Sequence, residues 1–171
     1  MKNNIKLLLI IFLLFFVFVI FYVGLNKSNV YEPKSVIKKI PQFSAITLFK
    51  KEEISSDKIF DQNKFYLLNI WSSWCVPCIK EHSFLVELSK IDKLEIIGLN
   101  YKDNLVNAKK FINELGNPYA KILIDKDGTK AIEWGAFGVP ETFLIHKNKI
   151  IKRFIGPLDI NTSSEIKKIL Q

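Results

Sequence analysis

Apolar residues crowd one end of the chain and are spread through the rest in short periodic groups. From Leu7 to Leu25, nineteen consecutive residues carry no charge, and almost all are Leu, Ile, Phe or Val. At 1.5 Å per residue a helix of that length reaches about 28 Å, against a hydrocarbon core of roughly 30 Å. The core of a cleaved signal peptide is shorter, about 7–15 residues, and ends at a small-residue cleavage site. The exit here, Tyr22-Val23-Gly24-Leu25-Asn26-Lys27, offers none. A retained transmembrane anchor over 7–25 is the better reading, preceded by a tail of residues 1–6. Residues 26–42 are polar, include Pro33 and Pro41, and lack an apolar period, so they read as a linker.

Residues 43–171 alternate between strand and helix signatures. Phe43–Phe49 alternates as a first strand. Phe65–Trp71 is nearly continuous in apolar residues, as in a central strand covered on both faces. A helix is predicted from Cys75 or Val76 to about Asp92, with Pro77 tolerated in the first turn, where its missing N–H has no helical partner. Leu94–Tyr101 reads as another buried strand. Leu105, Ala108, Phe111, Ile112 and Leu115 recur at helical spacing before Gly116. Ala120–Ile124 leads as a strand into the turn Asp125-Lys126-Asp127-Gly128. Thr142–His146 and Ile150–Ile155 form a hairpin about Lys147-Asn148-Lys149. Thr162-Ser163-Ser164-Glu165 has the form of a capping box opening a last helix. Helices between buried strands predict an α/β sandwich rather than a barrel or a bundle.

Composition narrows the possibilities. The 171 residues leave room for one domain besides the anchor, and 49% hydrophobic residues with fourteen Phe exclude wholesale disorder. The formal charge of +8 comes from 25 basic against 17 acidic residues, with Arg153 the only arginine. The lysines are scattered singly or in pairs, which predicts a solvated surface and no nucleic-acid partner. Lys2 and Lys6 precede the anchor while Lys27, Lys34, Lys38 and Lys39 follow it, so charge alone leaves its orientation open. Two cysteines are too few for a disulfide-stapled fold or a four-thiolate zinc site.

Those two cysteines form Cys75-Val76-Pro77-Cys78, at a strand-to-helix junction. A spacing of three puts both sulfurs on one turn, close enough to bridge. At the helix start, unpaired N–H groups and the positive dipole end stabilise a Cys75 thiolate, the attacking species in disulfide exchange. Cys78, one turn deeper, would then resolve the mixed disulfide. Inert structural thiols and a Cys75/Cys78/His82 metal site are the competing readings. The first fits poorly at a helix start, and the second lacks the further ligand pair such motifs usually carry.

The stretch Asn69-Ile70-Trp71-Ser72-Ser73-Trp74-Cys75-Val76-Pro77-Cys78 resembles the active-site strand and turn of the thioredoxin superfamily. Glu81-His82, Gly98-Leu99-Asn100-Tyr101-Lys102-Asp103, Gly116-Asn117-Pro118-Tyr119 and Gly138-Val139-Pro140-Glu141-Thr142-Phe143 are similar, more narrowly, to the membrane-anchored DsbE/CcmG proteins of cytochrome c biogenesis. The resemblance covers about 41–158. It implies a thioredoxin-like fold in 43–171 behind the transmembrane helix, and a protein-disulfide reductase for the haem-attachment cysteines of apocytochrome c, acting on it or within the haem-attachment complex. It also implies recharging by a membrane electron donor resembling DsbD or CcdA. No cofactor is implied beyond the Cys75–Cys78 dithiol. The anchor would lie in a bacterial inner membrane, crossing once, with the domain in the periplasm.

On the same resemblance Cys75 and Cys78 are catalytic, with Glu81 and Glu141 as nearby carboxylates able to shift a thiol's pKa or relay its proton. A solvated helix position is the alternative for Glu81. Pro140 matches a cis-proline, which would expose the Val139 backbone to an extended substrate strand. Trp74 would cover the disulfide and touch substrate, or pack in the core. His82 reads as a packed or capping histidine. Phe137 and Tyr119 fit a substrate groove as well as core or surface. Three features depart from the family or its relatives. Asn69 stands where thioredoxin has a titratable Asp, and Ser83 where the family generally has a helix-kinking proline. Val76-Pro77 lacks the His that favours a strongly oxidising disulfide. A reductant of the TlpA or ResA kind for oxidase copper-site assembly, or a metal-binding or scaffold module, is the alternative function.

Overall fold

The computed structural model describes residues 2–26, 38–60 and 63–171, in two compact units divided between Lys34 and Ser35. The first is helix α1, Lys2–Asn26, whose stretch Ile5–Gly24 is long and apolar enough to cross a membrane. The helix also takes in most of the tail predicted for 1–6. Most of the predicted linker, residues 27–37, lies outside the described residues. Its last part differs from expectation: Lys38–Lys39 form a short strand, β1, and Ile40 is buried in the core.

The second unit is built on a six-stranded mixed sheet. After β1 come β2 (Ser44–Ile46) and β3 (Glu53–Ser55), a separate antiparallel pair. They precede β4 (Phe65–Trp71), α2 (Val76–Leu88), β5 (Leu94–Tyr101) and α3 (Leu105–Leu115). Then follow β6 (Lys121–Asp125), α4 (Thr129–Glu133), β7 (Glu141–His146), β8 (Lys149–Ile155) and α5 (Ile160–Ile169). The sheet order is β1-β8-β7-β4-β5-β6, with β4, β5 and β6 parallel and the other pairings antiparallel.

The two-residue period of β4 sorts its side chains between two cores. Leu67 and Trp71 join Leu85, Leu88, Phe111 and Ile166 on the side of α2, α3 and α5. Tyr66, Leu68 and Ile70 join Phe60, Ala131 and Trp134 on the opposite side. Asn69, in phase with Leu67 and Trp71, therefore points toward α2. Gly98 of β5 marks the tightest packing on that face. A Cβ there would stand 2.8 Å from Trp71 Nε1 and 3.1 Å from the Tyr119 ring, which stacks on Trp71 at 5.6 Å.

Local chemistry fixes the ends of the elements. Asn104 caps α3 by accepting from the Val106 and Asn107 amides. Lys147 and Asn148 both take positive φ, 49° and 57°, as a two-residue hairpin turn requires. The last helix starts three residues before the predicted box. Asp159 is its N-cap, accepting from the Thr162 amide, while the Thr162 hydroxyl accepts from the Asp159 amide. Thr162 is thus the third residue of the helix rather than its cap.

Candidate active site

Strand register gathers the site at one end of the sheet. Ile70 pairs with Glu141, Trp71 with Asn100, Tyr101 with Asp125 and Glu141 with Ile155. The segments 72–75, 102–104, 137–140 and 156–159 therefore leave the sheet at the same end.

Cys75 is the N-cap of α2, with extended backbone (φ −86°, ψ 104°), and its Sγ accepts from the Cys78 amide at 3.2 Å. Pro77 sits in the first turn, as the sequence predicts. Cys75 and Cys78 are joined by a disulfide with Cα atoms 5.3 Å apart. Both cysteines are buried, so exposure does not separate the two sulfurs; their places on the helix do. In the reduced protein the Cys75 sulfur would keep the N-terminal amides in front of it, and a thiolate is stabilised there.

The loop ahead of Cys75 is clamped by the one after β5. Ser72 Oγ donates to the Tyr101 carbonyl at 2.5 Å, and the Trp74 indole N–H donates to the Lys102 carbonyl at 3.1 Å. The Ser73 amide and hydroxyl both donate to Asp103, each at 2.6 Å, and the same carboxylate accepts from Asn100 Nδ2 and the Asn104 amide. Sequence reasoning picked out the Asn100–Asp103 stretch but gave it no role; an acid that must cap a Ser-Ser turn was the available signal. Trp74 is 56% exposed, which rules out simple core packing for it.

The Val139–Pro140 peptide bond is cis. Val139 packs partly against the core cluster that holds both cysteines, and the Pro140 carbonyl accepts from the Gly156 amide at 3.0 Å. Glu141 is buried, and its oxygens are taken up locally. Oε1 accepts from the Phe137 and Gly138 amides at 2.6 and 3.0 Å, and Oε2 pairs with the Arg153 guanidinium. These contacts make it a brace for the proline loop. Phe137 is 81% exposed and lies on Arg153, with the guanidinium carbon 4.7 Å from the ring centre.

Glu81 is fully buried, so the solvated reading is wrong. It follows Cys78 by three residues on α2, a spacing that puts both on one face of the helix. Its Oε1 accepts from Asn69 Nδ2 at 2.9 Å and its Oε2 from the Leu158 amide at 2.8 Å. Burial raises its pKa to about 7, against the opposing pull of the Leu158 and Asn69 hydrogen bonds. Tyr119 is a core residue, and its hydroxyl donates to Asn69 Oδ1 at 2.9 Å. His82 is packed, as expected: Nε2 lies 2.9 Å from the Gly116 carbonyl and the ring meets Phe111 edge-on. Among the described residues no three His, Cys, Asp or Glu side chains gather as a metal-ligand set.

This geometry has counterparts. The Redoxin family model matches residues 36–170. A solved DsbF homologue from Corynebacterium diphtheriae shares the fold with a TM-score of 0.67 at 22% identity, over 80% of this chain and 87% of that one. Sheet, helix-capping cysteine and disulfide define a thioredoxin-like thiol:disulfide oxidoreductase. Sequence relatives narrow the class. The thiol:disulfide interchange protein DsbE of Vibrio cholerae is 36% identical over 149 residues, 84% of this chain and 79% of that protein. DsbE of Tatumella citrea is 41% identical over 129 residues, 75% and 69% of the two chains. The chain belongs to the DsbE family of thiol:disulfide interchange proteins.

Proposed function

We propose that this protein is a membrane-anchored reductase that keeps the haem-attachment cysteines of apocytochrome c as free thiols on the periplasmic side of a bacterial inner membrane. The observation that carries the reading is Cys75 at the N-cap of α2, bridged to Cys78, with buried Glu81 one turn further along the helix. In the reduced state the Cys75 thiolate attacks one sulfur of the substrate disulfide, breaking that bond and forming a mixed disulfide. The departing substrate thiolate takes up a proton. Cys78 then loses its proton to Glu81, attacks Cys75 Sγ and releases the second substrate thiol. Two electrons pass to the substrate, and the Cys75–Cys78 disulfide is left for a membrane donor of the DsbD or CcdA kind to reduce.

Exposed Trp74 and Phe137 offer apolar contact near the pair. Among the described residues the Val139 backbone makes no hydrogen bond, which leaves it able to pair with an extended substrate strand. Supporting a reductant, no His lies between the cysteines to stabilise the thiolate further. The chemistry needs no cofactor beyond the cysteine pair. The test is trapping in intact membranes with full-length Cys78→Ser, in which Cys75 cannot be released. The expected product is a mixed disulfide with a C-x-x-C-H apocytochrome. Recovery of an oxidase copper subunit in its place would overturn the substrate assignment.

A further inference from the structure

Asn69 occupies the centre of a buried chain that runs Tyr119–Asn69–Glu81–Leu158, with Thr142 as a side branch. An amide can sit either way round, and its neighbours decide. Thr142 Oγ1, 3.0 Å from Asn69 Nδ2, accepts here but is equally able to donate if the amide turns over. Glu81 only accepts when charged but can also donate when protonated, so in its neutral form it too is satisfied by either orientation. The Tyr119 phenol differs. Its ring is held between Trp71, stacked at 5.6 Å, and His82, edge-on at 6.3 Å, and the close approach of Gly98 leaves it no room to swing. Its buried O–H makes one hydrogen bond, to Asn69 Oδ1. Turning the amide over would face that proton with N–H groups and strand a buried donor.

We infer that Tyr119 is a positioning residue for thiol exchange: by fixing the Asn69 amide with its N–H groups toward Glu81, it keeps that buried carboxyl able to give up and retake a proton. The inference rests on the reading of Glu81 as the proton acceptor for Cys78. Asn69 of β4 and the Leu158 amide ahead of α5 donate to Glu81, Thr142 of β7 and the Tyr119 phenol ahead of β6 reach it through Asn69, and Cys78 and His82 are its neighbours along α2. Among the described residues no Lys, Arg or His forms an ion pair with it. Orientation of the Asn69 dipole is therefore the charge-sensitive contact that a side-chain change can reverse.

The test is Tyr119→Phe in the full chain in detergent micelles, with glutamate side-chain carboxyls labelled with ¹³C and the Glu81 resonance identified by its loss in Glu81→Gln. The ionisation midpoint of Glu81 is expected to rise by about one pH unit, the scale of one lost oriented hydrogen bond. An unchanged or lowered midpoint overturns the inference. A second measurement needs no variant: in the unmodified chain the Asn69 side-chain NH₂ resonances should shift with the Glu81 midpoint, and their indifference to it would also overturn the inference. Thiol-exchange rates across the same pH range test the underlying reading separately. If they ignore the Glu81 midpoint, the proton-acceptor role fails, while the orienting role of Tyr119 is still judged by the resonances.

Discussion

Glu81 keeps its proton to about pH 7 because desolvation outweighs the two hydrogen bonds that favour its charge. An unfolded glutamate ionises near 4.5. Between roughly 4.5 and 7 the native chain therefore holds a proton that the unfolded chain has lost, and stability falls as pH rises through that window, by about 3 kcal/mol in all. His82 works in the opposite direction. Burial lowers its pKa below 6.5, so the unfolded chain binds the extra proton there and stability falls as pH drops. The difference between the natural chain and Glu81→Gln isolates the glutamate. In urea unfolding across pH 4.5–7, the natural chain should lose roughly 3 kcal/mol relative to the variant. A pH-independent difference would show that the carboxyl titrates normally.

Among the connecting elements, the Lys102–Asn104 turn does for the cysteine loop what a cap does for a helix. Four donors converge on the Asp103 carboxylate, two of them from Ser73, two residues before Cys75. Asp103→Ala leaves the three partly buried donors, from Ser73 and Asn100, unmatched and should cost about 1–3 kcal/mol in thermal or urea unfolding. It should also slow Cys75 exchange, with Asp103→Asn recovering part of both. Stability and exchange both unaffected in Asp103→Ala would show that the clamp is incidental.

Legibility followed length. Phe65–Trp71, Leu94–Tyr101 and Leu105–Leu115 match their predicted limits because each is long enough to declare its period. Lys38–Lys39, Glu53–Ser55 and Thr129–Glu133 carry no period. They exist because β8, β2 and the Asp125 carboxylate, which accepts from the Lys130 and Ala131 amides, hold them from outside the element itself. The site divides in the same way. The cysteine pair and the cis-proline are local patterns, whereas the Tyr119–Asn69–Glu81 chain joins positions 50 and 12 residues apart, which no local window connects.

For the molecule as a whole, the apolar helix and the redox unit are separate bodies with separate tasks. Helix α1 is exposed and carries no charge from Leu7 to Gly24, and its stretch Ile5–Gly24 is long and apolar enough to cross a membrane. Removing residues 1–26 should move the protein from the membrane pellet to the soluble fraction and leave its disulfide-reduction rate on a small test substrate within about twofold, since surface changes away from packed features are near neutral. A full-length chain washed from membranes by alkaline carbonate would contradict the anchor.

The claim on which the rest depends is that Cys75, at the mouth of α2, is the attacking sulfur. Alkylation of the reduced full-length protein with iodoacetamide across pH 4–10, with mass-spectrometric assignment of the modified residue, tests it directly. Cys75 should be modified first, with a midpoint below the roughly 8.5 of a free thiol. Prior modification of Cys78, or a Cys75 midpoint at or above that of a free thiol, would contradict it.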